Sequence, residues 1–166
     1  SSSSSSSSSS VDTSLGESQN TELVYGEVDV SALHFIFSKV PGLAARATKK
    51  MVFADLGSGC GKAVFAAALL RPFKHLLGYE VVPSLCRIAD GVWEKYRVSC
   101  GRAEPASRIQ LKKQDFFNPA SIQEWRNADV LFCFSTCFSA STVSSIAQQC
   151  RHMKKYSNIV IFTPLT

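Results

Sequence analysis

The chain has 166 residues, 45% of them apolar and 19% charged, and a formal net charge of +5. That is the length of one ordinary domain with enough apolar mass for a sizeable core, and a charge that suits an acidic or nucleic-acid partner while being ordinary for a soluble protein. No apolar stretch reaches the roughly 18 to 20 residues of a membrane span, which excludes a spanning helix. Six cysteines (Cys60, Cys86, Cys100, Cys133, Cys137 and Cys150) stand without a Cys-x-x-Cys pair or a His-rich cluster. They read as buried free thiols of an intracellular protein, not as a disulfide framework or a zinc site, so no metal is expected. With no secretory leader, the expectation is a soluble protein of nucleus or cytoplasm.

Residues 1–21 open with ten serines, a run that buries no apolar surface, and read as a low-complexity or placeholder segment; the domain is expected over 22–166. Residues 22–27 carry an extended or turning patch punctuated by Gly26. Val30, Leu33, Phe35, Ile36, Phe37 and Val40 recur at near-helical spacing behind Asp29 or Ser31 as N-cap, and Pro41-Gly42 stops that helix. Arg46, Thr48, Lys49 and Lys50 form a basic link read as a solvated face. Met51 to Ala54 is a short apolar run of buried-strand type ended by Asp55, and Gly57, Gly59 and Gly61 follow as a tight turn.

Lys62 to Leu70 is a helix-forming run that ends at Arg71-Pro72, so the turn delivers its amides at a helix N-terminus. His75 to Glu80 reads as a second strand. Leu85, Ile88, Ala89, Val92, Trp93 and Tyr96 mark one face of a long helix that stops near Cys100-Gly101. Arg108 to Lys113 alternates like a strand near a sheet edge, Ala120 to Trp125 is a short helix, Ala128 to Phe134 a central strand, Ser139 to Met153 a helix and Asn158 to Phe162 a fifth strand.

Strict alternation predicts an α/β fold: a Rossmann-like, mostly parallel twisted sheet with helices on both faces. A chain reversal after the third strand places the first and fourth strands side by side, with a ligand site at their carboxyl ends. Asp55, Glu80, Asp115 and Ser135 all fall at carboxyl ends of strands. Three acids there need a reason, because burial near a core disfavours charge.

Spacing separates the nucleotide readings of the glycine turn. A dinucleotide fingerprint needs a third glycine where Lys62 stands, and a phosphate loop needs Gly and Ser/Thr where Leu56 and Ala63 stand. The remaining Asp-x-Gly-x-Gly-x-Gly pattern resembles the first motif of class I S-adenosylmethionine-dependent methyltransferases, a fold whose last strands this sequence does not supply. The resemblance implies S-adenosyl-L-methionine as cofactor. Asp55 then meets its cationic amino group, Gly57, Ser58, Gly59, Cys60, Gly61 and Lys62 pass closely beneath it, Glu80 accepts the ribose hydroxyls, and Asp115 and Phe116 meet the amine and face of adenine.

A narrower resemblance lies beside it. Tyr25-Gly26-Glu27-Val28 ahead of the first helix, Phe53-Ala54-Asp55-Leu56-Gly57-Ser58-Gly59-Cys60-Gly61-Lys62, Lys74-His75 through Glu80, Gln114-Asp115-Phe116 and Val130-Leu131-Phe132 are similar in order and distance to motifs of the non-SET histone-lysine methyltransferases known as disruptor of telomeric silencing. This implies methyl transfer to a protein lysine of histone type, with Tyr25 to Val28 lining the cofactor pocket and Phe53 to Lys62 its floor. Where that family reads Asn-Asn-Phe-Ala-Phe, this chain reads Phe134-Ser135-Thr136-Cys137-Phe138, so Ser135 stands nearest the missing asparagine. Tyr25, Phe134, Ser135 and Phe138 are the candidates for an apolar channel that desolvates the lysine; Phe134 and Phe138 read equally well as core aromatics.

A histone or nucleosome is the implied partner of a monomeric enzyme. Arg46, Lys49, Lys50, Lys112, Lys113, Arg151, Lys154 and Lys155 offer a possible nucleic-acid surface, although a solvated face explains them as well. Two other readings stand beside this one: a class I methyltransferase for RNA or a small molecule, and a cofactor-binding module without catalysis.

Overall fold

The structure, a computed structural model, describes residues 29–40, 43, 47–101 and 108–162. The serine run, the expected boundary near 21, Pro41-Gly42 and Arg46 lie outside the described residues, as do Tyr25, Gly26, Glu27 and Val28.

The elements run α1 Val30–Lys39, β1 Val52–Leu56, α2 Lys62–Leu70, β2 His75–Glu80, α3 Pro83–Cys100, β3 Ile109–Lys113, α4 Pro119–Trp125, β4 Val130–Phe134, α5 Ala140–Cys150 and β5 Asn158–Phe162, with short 3-10 turns at Ala47–Lys50 and Ser135–Cys137. Caps explain most helix starts. Asp29 accepts from Ser31 N at 2.9 Å, Asn118 from Ala120 N at 3.0 Å and Ser139 from Thr142 N at 3.1 Å, each satisfying one amide that a helix N-terminus leaves without a partner. Pro83 and Pro119 stand in first turns, where a missing N–H costs nothing.

All five strands are parallel, in the order β3-β2-β1-β4-β5. The chain builds outward from β1 through α2 and α3, returns under α4, and restarts beside β1 with β4. Right-handed crossovers therefore put α2 and α3 on one face, where Leu33 and Phe37 of α1 join them, and α4 and α5 on the other, each face closing its own core. Residues from Ala63 to Ala68 on α2 are all buried, and four alanines among them let the helix lie close on the sheet. On that face Phe53 sits among Phe37, Phe73 and Phe132 with ring centroids 5.5–6.1 Å apart. On the other, Trp125 and Ile146 pack against Leu56, Leu77 and Cys133.

The amino ends of the central strands are tied by Asp129. Its Oδ2 accepts from Val52 N at 2.7 Å, its Oδ1 pairs with Lys154 Nζ at 2.6 Å, and its backbone bonds Val52 and Asn158 at 2.8 Å each.

Several expectations change. β1 runs through Asp55 to Leu56, because Asp55 keeps its ladder position between Gly78 and Phe132. Phe53, expected on the pocket floor, is a core residue, since its side chain points to the α1–α2 face. Thr48, expected on a solvated face, is fully buried, while Lys49 and Lys50 are exposed. Ile88 is 53% exposed, and Cys86 and Ala89 are the buried residues of α3. Of the cysteines only Cys86 and Cys133 are buried; Cys137 is exposed because it ends the 3-10 turn beyond β4.

Candidate functional site

The glycine turn closes on itself. Gly57, Gly59 and Gly61 have φ of +74°, +56° and +84°, left-handed values that a side chain makes unfavourable. Gly57 N and Ser58 N both donate to the Tyr79 carbonyl at 3.0 and 2.9 Å, and Gly61 N donates to Ser58 O at 2.8 Å. Gly59 N donates to Glu80 Oε2 at 2.8 Å. At least four of the amides that the turn was expected to deliver at a helix N-terminus are thus used within the protein. Gly78 on β2 gives the turn room, since a β-carbon there would stand 2.9 Å from Ser58 Oγ.

Glu80 is the turn's anchor. Besides Gly59, its Oε1 accepts from Val81 N and Val82 N, both at 2.8 Å. A carboxylate has about four lone-pair directions, so Oε1 is filled and Oε2 keeps one open. The expected bidentate grip on two hydroxyls is reduced to one free acceptor position. A narrow cleft beside it is lined by Ser58, Gly59, Ala89, Leu111 and Lys113.

Asp55 stands at the carboxyl end of β1, where the chain order reverses between β1 and β4. It is 2% exposed, and among the described residues no group donates a hydrogen bond to its carboxylate. Burial, and after it the charge of Glu80, pushes its carboxyl up to about 8. A buried acid in that condition favours a ligand that brings a positive charge or a donor.

The turn after β3 forms the third wall. Asp115 Oδ1 accepts from Phe117 N at 2.8 Å and its carbonyl from Asn118 N at 3.0 Å, leaving Oδ2 free of those bonds. The Phe116 ring contacts Phe117 at 4.7 Å and Phe138 at 5.6 Å between centroids. Phe138, from the loop after β4, in turn lies on Gly57. Three loops expected separately to serve one site are therefore brought together: Gly57 to Gly61, Asp115-Phe116 and Phe138.

Ser135 takes a different place. It is fully buried and its Oγ donates to the Phe162 carbonyl, tying the exits of β4 and β5. Phe134 is half-buried and packs on Phe162 with centroids 5.5 Å apart. Burial first, then Asp55 and Cys150, push the Cys133 thiol up to about 12, so it is held protonated and is no nucleophile. Lys62 and Cys60 stand at the start of α2 and on the turn, both half-buried.

The basic residues do not form one stripe. Lys112 pairs with Glu124 at 2.6 Å and Lys113 with Asp90 at 2.6 Å near the carboxyl end of β3, whereas Lys154 pairs with Asp129 at the amino ends of the strands. Burial opposes the charge on Glu124, but hydrogen bonds from Lys112 and Tyr79 hold its carboxyl below the usual range.

Two contributors escaped the sequence reading. Trp125 was visible only as the last apolar residue of a short helix, yet its Nε1 donates to the Phe116 carbonyl at 2.8 Å. Glu124 gave no signal, because its partners Tyr79 and Lys112 are distant in sequence.

These features can be set beside known proteins. A histone-lysine N-methyltransferase described as H3 lysine-79 specific, from Gibberella zeae, is 29% identical over 143 residues, covering 84% of this chain and 28% of the relative. One of the same description from Chaetomium globosum is 27% identical over 122 residues, covering 72% of this chain and 23% of the relative. The chain thus spans under a third of either relative. Among solved structures, an RNA methyltransferase from Salinibacter ruber in complex with S-adenosyl-L-homocysteine has a TM-score of 0.59 at 18% identity, covering 80% of this chain and 76% of the other. A precorrin-6y C5,15-methyltransferase from Geobacter metallireducens has the same TM-score and identity, with 85% and 64% covered. Those two establish the fold as the Rossmann-like one of the methyltransferases. The family described as histone methylation protein DOT1 matches residues 13–166, and this chain belongs to it.

Proposed function

We propose that this chain is the cofactor-binding and catalytic part of an S-adenosyl-L-methionine-dependent methyltransferase that modifies a protein lysine, with a histone in the nucleosome as substrate and the nucleus as its place of action. The observation that carries the reading is Asp55: a buried carboxylate without a donor among the described residues, at the switch point of the sheet and beside a turn of three left-handed glycines. That donor set fits the cofactor. Asp55 receives the cationic amino group, the open position on Glu80 Oε2 a ribose hydroxyl, and Asp115 with Phe116 the amine and face of adenine. Membership of the DOT1 family and the described specificity of the two fungal relatives support a histone lysine as acceptor.

When bound, the cofactor supplies a methyl group on a sulfonium, which is transferred by in-line displacement. The chain's own contribution is alignment and dryness. Asp55 and Glu80 fix two points of an elongated ligand, which converts a bimolecular encounter into an oriented one. Phe116 and Phe138 put apolar surface over the turn and exclude water, and an apolar approach also lowers the pKa of an incoming lysine, favouring its neutral, nucleophilic form. The family motif that Tyr25 to Val28 resemble assigns those residues to the cofactor as well. Basic contact with nucleosomal DNA, for which the exposed Lys49, Lys50 and Arg151 are candidates, and a monomeric state complete the proposal.

A second reading, binding without transfer, is favoured by Ser135, whose hydroxyl is committed to the Phe162 carbonyl and offers nothing to a methyl acceptor. Isothermal titration with S-adenosylmethionine tests the premise common to both: a folded sample without detectable binding removes them together. Labelled cofactor offered with nucleosomes, free histones, RNA and small metabolites then separates them. Transfer to a histone lysine supports the first reading, transfer only to RNA or metabolites rejects it, and binding without transfer to any acceptor selects the second.

A further inference from the structure

We infer that Trp125 is a positioning residue for the adenine end of the cofactor, acting through the backbone of Phe116; this rests on the reading just given. The turn from Asp115 to Asn118 carries both groups assigned to adenine, and its shape is set from beneath by α4. Trp125 is fully buried, and the one polar atom of its side chain, Nε1, donates to the Phe116 carbonyl at 2.8 Å across nine residues. The turn's other bonds reach no further than the start of α4: Phe117 N to Asp115 Oδ1 at 2.8 Å, Asn118 N to the Asp115 carbonyl at 3.0 Å, Ala120 N to Asn118 Oδ1 at 3.0 Å and Ile122 N to the Asn118 carbonyl at 2.9 Å.

Those bonds shape the turn and join it to the start of α4, and the Phe116 and Phe117 rings pack on the core beneath. The indole N–H adds a hydrogen bond from the body of the core to the turn's own backbone, since Trp125 itself is wedged in the core of the α4–α5 face. α4 is held in register by a second tie, with Glu124 accepting from the Tyr79 hydroxyl at 2.6 Å and from Lys112 Nζ at 2.6 Å. Tyr79 also supplies the carbonyl on which Gly57 and Ser58 close. One helix of seven residues thus references the adenine turn to the strand that shapes the glycine turn, and the two ends of the ligand site keep their spacing.

The test is Trp125→Phe, which keeps most of the ring volume and deletes the donor. S-adenosylhomocysteine and S-inosylhomocysteine, which lacks the exocyclic amine, are titrated into the wild-type chain and the variant. We expect the variant to bind the adenosyl ligand roughly fivefold more weakly while the inosyl ligand changes little, so that discrimination between them falls. Equal weakening of both, or of neither, overturns the inference, because lost stability alone does not change the ratio.

If the variant does not fold, the wild-type chain answers. It has two tryptophans, Trp93 and Trp125, and Trp93 stacks on Phe65 on the opposite face of the sheet. The Trp125 indole N–H resonance should move when S-adenosylhomocysteine saturates the chain and the Trp93 resonance should not; an unmoved Trp125 signal refutes the positioning role. Failure of the folded wild-type chain to bind either ligand is a separate result, and it removes the cofactor reading itself.

Discussion

The Phe138 ring lies on the backbone of Gly57: a β-carbon at Gly57 would stand 2.5 Å from Phe138 Cζ and 3.2 Å from Cε1. The freedom that glycine gives at this point is therefore used by an aromatic ring of the same chain, brought across from the loop after β4. Gly57→Ala forces that ring away and strains a φ of +74°. We expect a loss of about 2 to 4 kcal/mol in denaturant unfolding. Combined with Phe138→Ala, which removes the obstacle, the double variant should lose less than the sum of the two; strict additivity would show that the contact is not the source of the cost.

Asp55 makes stability depend on pH in the opposite sense to an ordinary salt-bridged carboxylate. Its folded pKa of about 8 lies above the ordinary 3.8, so the folded chain keeps a proton that the unfolded chain has released. The contribution is fully present below the unfolded value and is lost as pH rises through about 8, with a slope approaching 1.4 kcal/mol per unit, about the limit for one proton. Chemical denaturation of wild type and Asp55→Asn across pH 4 to 9 checks this: the difference in stability between them should shift in favour of the variant as pH rises to about 8 and level off above it, and a constant difference contradicts it.

The same group gives a proton signature on binding. A cationic ligand at Asp55 favours the ionised carboxylate, so binding near pH 7 should release up to about one proton. Titrations in buffers of different ionisation enthalpy would measure the release, and Asp55→Asn should abolish it.

Glu80→Gln tests the anchor of the turn. A glutamine offers one acceptor oxygen with two lone pairs where the carboxylate serves three backbone amides through two oxygens. At least one amide loses its partner. Stability should fall by about 1 to 3 kcal/mol and cofactor affinity by roughly tenfold or more. Unchanged affinity in a folded variant would mean that the ligand does not use this carboxylate.

Asp129 sits at the other end of the strands and should separate stability from function. Asp129→Ala strands the Val52 amide and removes the partner of Lys154, and should cost about 2 kcal/mol. Lys154→Ala, with a half-exposed side chain, should cost less than about 1 kcal/mol. Neither should change cofactor affinity more than about twofold, since Asp55, Glu80 and Asp115 lie at the opposite strand ends.

Much of this architecture was legible because its signals are local. α2, β2 and β5 have the boundaries that the sequence implies, since Gly61 opens α2, Arg71-Pro72 closes it, and β2 and β5 are short apolar runs with clear punctuation. The glycine spacing and the acid that ends each strand are likewise local signals, each read from a few neighbouring positions. What stayed hidden depends on facing and on partners far along the chain. β1 is buried on both faces, so its run of apolar residues does not tell which of Phe53 and Ala54 points at which helix. Ser135 looked available beside β4, and only the arrival of β5 commits its hydroxyl. The indole bond from Trp125 to Phe116 joins two residues whose types say nothing of the pairing.

The self-closure of the glycine turn has a consequence for encounter with ligands in a crowded solution. Because Gly57, Ser58, Gly59 and Gly61 are tied to Tyr79, Ser58 and Glu80 when the chain folds, the turn has little ordering entropy left to lose on binding. Those same amides are also withheld from triphosphate tails, so adenine nucleotides, which share the nucleoside with the cofactor, find at these four positions no donors for the part in which they differ. Rigidity here acts as selectivity.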